Sequence, residues 1–138
     1  FLQSKEKGYE CISYISPKSF IADNVTIGEN CFIFEDNTLQ PYVSIEDNCI
    51  LWSGNHIGHH STVRRNCFIS SHVVIAGGCD IGRNSFLGVN STLRDHISIG
   101  KYNVIGAGAL ILRPTDDDNV FVEKATPLFS KSSHDLKL

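Results

Sequence analysis

Residues 81–99 read IGRNSFLGVNSTLRDHISI. Ile81, Leu87, Leu93 and Ile99 stand six apart. Neither the 3.6-residue period of a helix nor the two-residue period of a strand produces that spacing. Extended backwards, the same step meets Ile15, Ile21, Ile27, Ile33, Leu39, Ile45, Leu51, Ile57, Val63, Ile69 and Ile75. Extended forwards, it meets Ile105 and Ile111. All seventeen positions hold Ile, Leu or Val, types that make up only about a quarter of the chain. A run of that length is an internal repeat, and a repeat dictates architecture.

Four places after each aliphatic residue the chain prefers something small. Of the sixteen such positions from Ser19 to Ala109, twelve are Ser, Ala, Val or Cys. A large residue followed by a small one predicts a short strand and a tight corner every six residues. Gly28, Gly58, Gly82, Gly88, Gly100 and Gly106 come directly after the aliphatic position. A sharp bend or a positive φ there would favour glycine.

A second period overlies the first. IGENCF at 27–32, IEDNCI at 45–50, VRRNCF at 63–68 and IGRNSF at 81–86 recur every eighteen residues. Asn30, Asn48, Asn66 and Asn84 share one register, and asparagine tolerates the left-handed conformation that some turns need. Three hexads therefore make one coil, and parallel strands stack the coils about 4.8 Å apart. The expected fold is all-β, a triangular parallel β-solenoid of nearly six coils over residues 15–112, held by local contacts. Residues 1–14 are expected to form a linker or cap, and 113–138 a loop, a closing strand and a tail.

Composition narrows the function. A chain of 138 residues with a formal charge of −3 lacks the basic balance of a general nucleic-acid binder. No run of eighteen apolar residues predicts a membrane span, and no signal-peptide pattern opens the chain. Five cysteines are an odd number without a small-scaffold framework, which predicts reduced thiols in a cytoplasmic protein. Cys31, Cys49 and Cys67 fall eighteen apart, an inward ladder of small hydrophobes. A disulfide between neighbours is sterically open but less expected. Asn37 and Asn55 stack likewise and predict a hydrogen-bonded inward ladder. There is no methionine, and FLQSKEKGYE reads as the end of a preceding element, so an N-terminal part is expected to be missing.

On these hexads, residues 15–111 resemble the left-handed parallel β-helix, or hexapeptide-repeat, acyltransferases. The resemblance implies a left hand, opposite to the general rule for parallel crossovers. It also implies a homotrimer with its active site between adjacent prisms. WSGNHIGHHSTV at 52–63 and IGRNSFLGVNS at 81–91 resemble one branch, the NeuD/PglD-type sugar acetyltransferases, which acetylate sialic acids or nucleotide-linked amino sugars. What the branch implies is an acetyl-CoA co-substrate, no metal, and a saccharide or nucleotide-sugar acceptor. KGYECISYISPK resembles the branch's link from a small nucleotide-sugar-binding α/β domain. VFVEKATP resembles its closing strand, although the usual "GxPA" signature is absent.

An ungapped alignment puts the branch's catalytic histidine on His59. A sugar hydroxyl or protonated amine is a poor nucleophile at neutral pH, and an imidazole can take its proton as the thioester is attacked. The tetrahedral oxyanion then needs a donor such as a backbone N–H. The branch often has an acidic residue next in sequence to orient the imidazole. Here that slot is His60, so another group orients His59, or His60 is itself the base. His56 and His72 are further candidate bases. Gly77 lies one coil above His59 and is expected to leave room for substrate. Phe68 replaces an acetyl-CoA-contacting histidine and can only pack. Val89 and Ala107 fall on acetyl-CoA contacts made through backbone atoms. Glu29, Asp47, Arg65, Arg83 and Lys101 share a column that turns from acidic to basic. It is either a solvated corner or a strip for coenzyme A phosphates.

Two rivals stand beside the acetyltransferase. One is a non-catalytic trimeric scaffold or binding platform, since fold does not fix function. The other is a metal hydratase like the γ-type carbonic anhydrases of the same solenoid class. Zinc needs three or four converging ligands. His56, His59 and His60 occupy the sixth, third and fourth hexad slots and are not expected to converge. The histidine pair five apart that marks those hydratases is also missing.

Overall fold

The computed structural model describes residues 1–128, 130, 132 and 134. A short helix at Leu2–Glu6 precedes a series of two-residue strands. These make three parallel sheets. Sheet one has seven strands, from Tyr14–Ile15 to Val120–Phe121. Sheet two has six, from Phe20–Ile21 to Leu110–Ile111, and sheet three has five, from Thr26–Ile27 to Ser98–Ile99. Up to Leu110–Ile111 successive strands fall on successive sheets, so the chain winds as the expected three-sided parallel β-helix; the last strand, Val120–Phe121, skips sheet three. The register is eighteen: Phe68 pairs with Phe86 and Ile69 with Leu87. The last turn is shorter by two residues, because Val104 pairs with Val120 and Ile105 with Phe121.

The second residue of each strand is a clock residue, and it points at the axis. From Ile33 to Ile105 these side chains are at most 3% exposed. Ile15 is 41% exposed because no coil lies beneath it. Each fully buried aliphatic contributes about 1.5–3 kcal/mol. No helix among the described residues is long and apolar enough to cross a membrane.

The corners differ from expectation in two ways. From Asn30 to Gly108 every sixth residue, the fourth of its hexad, has a positive φ, including Asn30, His60, Asn66 and His96. The glycines of the second slot do not; they serve close approach between coils. A Cβ on Gly58 would lie 2.5 Å from the Gly77 nitrogen, and one on Gly82 2.5 Å from the Gly100 carbonyl carbon. The asparagine ladder is also elsewhere. Asn37 and Asn55 are buried but bond to backbone carbonyls: Asn37 Nδ2 donates to Trp52 O at 2.8 Å, and Asn55 Nδ2 to the same oxygen. The amide-to-amide chain runs along the corner, from Asn30 to Asn48, Asn66 and Asn84, at 2.6–2.8 Å per link. Inward amides meet backbone carbonyls, Asn37 in the next turn and Asn55 in its own, whereas corner amides meet one another.

All five cysteines are free thiols. Cys31, Cys49, Cys67 and Cys79 are buried, each donating to a carbonyl fifteen residues on, at 3.1–3.2 Å. A hydrogen bond with Cys49, then burial, pushes the Cys31 thiol up, and burial pushes Cys79 up. Thiolate is the reactive form. Burial also shields Cys31, Cys49, Cys67 and Cys79 from reagent, so native protein at pH 7.5 is expected to label with iodoacetamide only at Cys11, which is half-buried, and at all five sites in urea. Rapid native labelling of Cys31 or Cys79, read by mass spectrometry, would contradict this.

Candidate active site

Each hexad ends one sheet and starts the next, so the third and fourth slots line the prism's three corners. The second corner, between sheets two and three, carries His59 and His60, then Gly77 and Gly78, then Asp95 and His96. The positive φ of His60, +58°, turns the chain there. His59 N donates to Gln40 Oε1 at 3.0 Å and His60 N to Pro41 O at 3.1 Å, tying the corner to the coil below.

Both imidazoles are exposed, and they touch. Nδ1 of His59 lies 3.1 Å from Nδ1 of His60, with the rings edge-on at 86°. Such a contact needs one proton between the two nitrogens: one ring donates and the other accepts. His60 is held from its other side by Tyr42, stacked at 4.7 Å. The second corner thus presents a row, Tyr42 to His60 to His59.

The His59 ring folds over Gly77. A Cβ built on Gly77 would lie 2.6 Å from His59 Nε2. The room expected beside the imidazole is taken by the imidazole itself, so Gly77 is its seat and not a substrate space. The upper half of this corner is not among the residues expected from the sequence. His96 rests over Gly78 in the same way, with its Nε2 3.9 Å from Asp95 Oδ2. The signal that points to it is register, since His60, Gly78 and His96 stand eighteen apart.

The other candidates lie elsewhere on the prism. His56 is on the outer surface of sheet two, between Thr38 and Val74. His72 is on the first corner, between sheets one and two, with its ring over Gly54. Val89 and Ala107 are exposed on that same first corner. Phe68 is half-buried on sheet one, stacked on Phe86 at 5.6 Å. His59, His60 and Gly77 therefore come together within one chain. Phe68, Val89 and Ala107 do not join them, because a three-sided prism holds its corners apart. No three His, Cys, Asp or Glu side chains among the described residues converge as metal ligands.

The third corner, between sheets three and one, carries Glu29, Asp47, Arg65, Arg83 and Lys101. A cavity of about 380 Å³ opens on its basic half. Arg64 beside it bridges Asp80 at 2.6 Å and Glu46 at 3.0 Å. These bonds, to Asp80 first, raise the pKa of its guanidinium further.

Comparison with known proteins agrees with the architecture. The fold matches perosamine N-acetyltransferase from Caulobacter crescentus, solved with CoA and GDP-perosamine, at a TM-score of 0.87 and 22% identity, over 88% of this chain and 59% of that one. It matches the acetyltransferase domain of PglB from Neisseria gonorrhoeae at a TM-score of 0.86 and 21% identity, over 92% of this chain and 62% of that one. It matches WeeI from Acinetobacter baumannii at a TM-score of 0.52 and 20% identity, over 88% and 60%. The chain thus spans about three fifths of the length of each. No curated protein sequence matches it. The model of the bacterial transferase hexapeptide (six repeats) family matches residues 35–77 and 78–113, more than half of the chain. A six-residue clock, a three-sided prism and this match agree: the chain belongs to the bacterial transferase hexapeptide family.

Proposed function

We propose that this chain is the solenoid of an acetyl-CoA-dependent acetyltransferase that acylates a hydroxyl or amino group of a nucleotide-linked sugar. The observation that carries the reading is the exposed His59–His60 pair, its Nδ1 atoms 3.1 Å apart on a hexapeptide-family prism. If His59 Nδ1–H donates to His60 Nδ1, the His59 Nε2 lone pair is left free to act as base. His60, held by Tyr42, is then the positioning residue in the slot where an acid would orient the ring.

In this reading Nε2 of His59 takes a proton from the acceptor as its oxygen or nitrogen attacks the thioester carbonyl. The C–S bond breaks, and the coenzyme thiolate takes the proton back from the imidazolium. A backbone N–H holds the intermediate oxyanion. The transfer is direct, with no acyl-enzyme.

The site would be completed by a second copy. The second corner of one prism brings His59, and the first-corner side of its neighbour brings Phe68, Val89 and Ala107. An apolar stripe on sheet one suits such packing: Phe34 stacks on Trp52 at 5.2 Å, and Phe32 and Phe86 are 40% and 39% exposed. That agrees with a homotrimer. The free thiols fit a cytoplasmic enzyme. CoA and GDP-perosamine, bound by a protein of the same fold, make acetyl-CoA and nucleotide-linked amino sugars the first ligands to try.

Isothermal calorimetry with acetyl-CoA, followed by an acetylation assay on nucleotide-linked amino and hydroxyl sugars, tests the reading. Saturable binding and transfer are expected. A protein that binds no acetyl-CoA is a scaffold, and the proposal falls.

A further inference from the structure

The third corner holds a second site that the acetyl-transfer reading does not use. Along it, third-slot backbone N–H groups take carboxylate oxygens. Glu29 N donates to Asp47 Oδ1 at 2.9 Å, Arg65 N to Glu46 Oε2 at 3.0 Å, and Lys101 N to Asp117 Oδ1 at 2.7 Å. The N–H groups of Asp47 and Arg83 take no acceptor among the described residues. At Asp47 the local charge is acidic, so an anion is repelled. At Arg83 the neighbours in the column are Arg65 below and Lys101 above; the cavity also meets Glu46, Asp80 and Asp117, but Arg64 pairs the first two and Lys101 the third, which leaves Arg83 and Arg65 to attract an anion.

The cations there are unequally committed. Arg64 is locked between Asp80 and Glu46. Arg65 reaches Glu46 only at 4.0 Å, and Lys101 reaches Asp117 at 3.6 Å. The Arg83 guanidinium forms no ion pair among the described residues. All three open into the cavity of about 380 Å³. Gly82 and Gly100 are part of its lining, and their lack of side chains lets the coils close on one another there.

We infer that this notch binds a phosphoryl group, and most tightly a diphosphate, with the Arg83 N–H and guanidinium at its centre and Arg65 and Lys101 on either side. An oxygen of the ligand takes the amide that carboxylates take one coil away. Three cationic residues on successive coils, their backbones about 4.8 Å apart, suit a ligand with more than one negative charge better than a single carboxylate. Arginine's planar fork matches phosphate oxygens in pairs. The notch lies on a different corner from both His59 and the Val89 and Ala107 positions, and its test does not depend on the acetylation assay.

Pyrophosphate is the probe, titrated into the intact protein by calorimetry at 50 mM and 200 mM salt. Saturable binding is expected, weaker at the higher salt as the charges are screened. Arg83→Glu is expected to weaken it at least about tenfold, and Arg83→Gln by less, since Gln removes the positive charge without adding a negative one. Arg83 is exposed, and unchanged thermal melts would show that both variants fold. Parallel titrations of coenzyme A, dephospho-coenzyme A and a nucleoside diphosphate identify the source of the phosphoryl group. The natural ligand is the one whose affinity falls with Arg83→Glu. Absence of pyrophosphate binding, or the same affinity in Arg83→Glu as in wild type, overturns the inference whatever the acetylation assay gives.

Discussion

His59→Ala is expected to lower kcat for acetyl transfer by about 10²–10⁴-fold, the usual worth of a general base, with KM for acetyl-CoA nearly unchanged. The reason is that Nε2 of His59 would meet only the proton in flight, not the bound ground state. His60→Ala is expected to cost less, because it removes the partner of Nδ1 and not the base. It is also expected to displace the pH–rate profile, which loss of a merely structural contact would not do. Gly77→Ala is expected to lower the rate without loss of fold, since the new methyl would occupy the seat of the ring. Stopped-flow or end-point assays of free thiol release would read all three. If His59→Ala and His60→Ala both keep near-wild-type rates, the second corner is not the catalytic centre.

Ile69→Ala is expected to destabilise the protein by about 2–5 kcal/mol, measured from urea denaturation. Ile69 is fully buried between Leu51 of the coil below and Leu87 of the coil above, and neither can collapse into the gap without breaking a parallel pairing. Ile15→Ala is the control. Its side chain is 41% exposed on the first coil, so it loses less burial and leaves no closed cavity. Equal losses at the two positions would mean that the clock residues do not form one axial core. Because each coil touches only its neighbours, the unfolding of the Ile69 variant is also expected to begin near the defect.

Much of the candidate site is legible in the order of residues alone. His59 is marked by the resemblance of IGRNSFLGVNS and its upstream hexads to the sugar acetyltransferase branch. Nothing in that order marks its contact with His60, although the two are adjacent. Third-slot and fourth-slot side chains leave the corner in different directions in an ideal hexad. They meet here because His60 is pressed by Tyr42 on one side and His59 is laid over Gly77 on the other. Asp95 and His96 go unmarked for a related reason. The His96 ring lies over Gly78 because that residue has no side chain, a property of the intervening coil and not of the histidine.

The amino-acid sequence by itself determined the winding of this chain: where each strand lies, which residue faces the axis, and which residues stack. A six-residue period with an eighteen-residue register fixes the strand pairing whichever hand the coil takes, and stacking contacts run between neighbouring coils. The tertiary structure alone decided which side chains on a shared corner touch. It set the His59 ring against His60 and over Gly77, and left Arg83 facing a cavity. Periodicity places backbones, but the direction of a side chain depends on what fills the space one coil above and one coil below it.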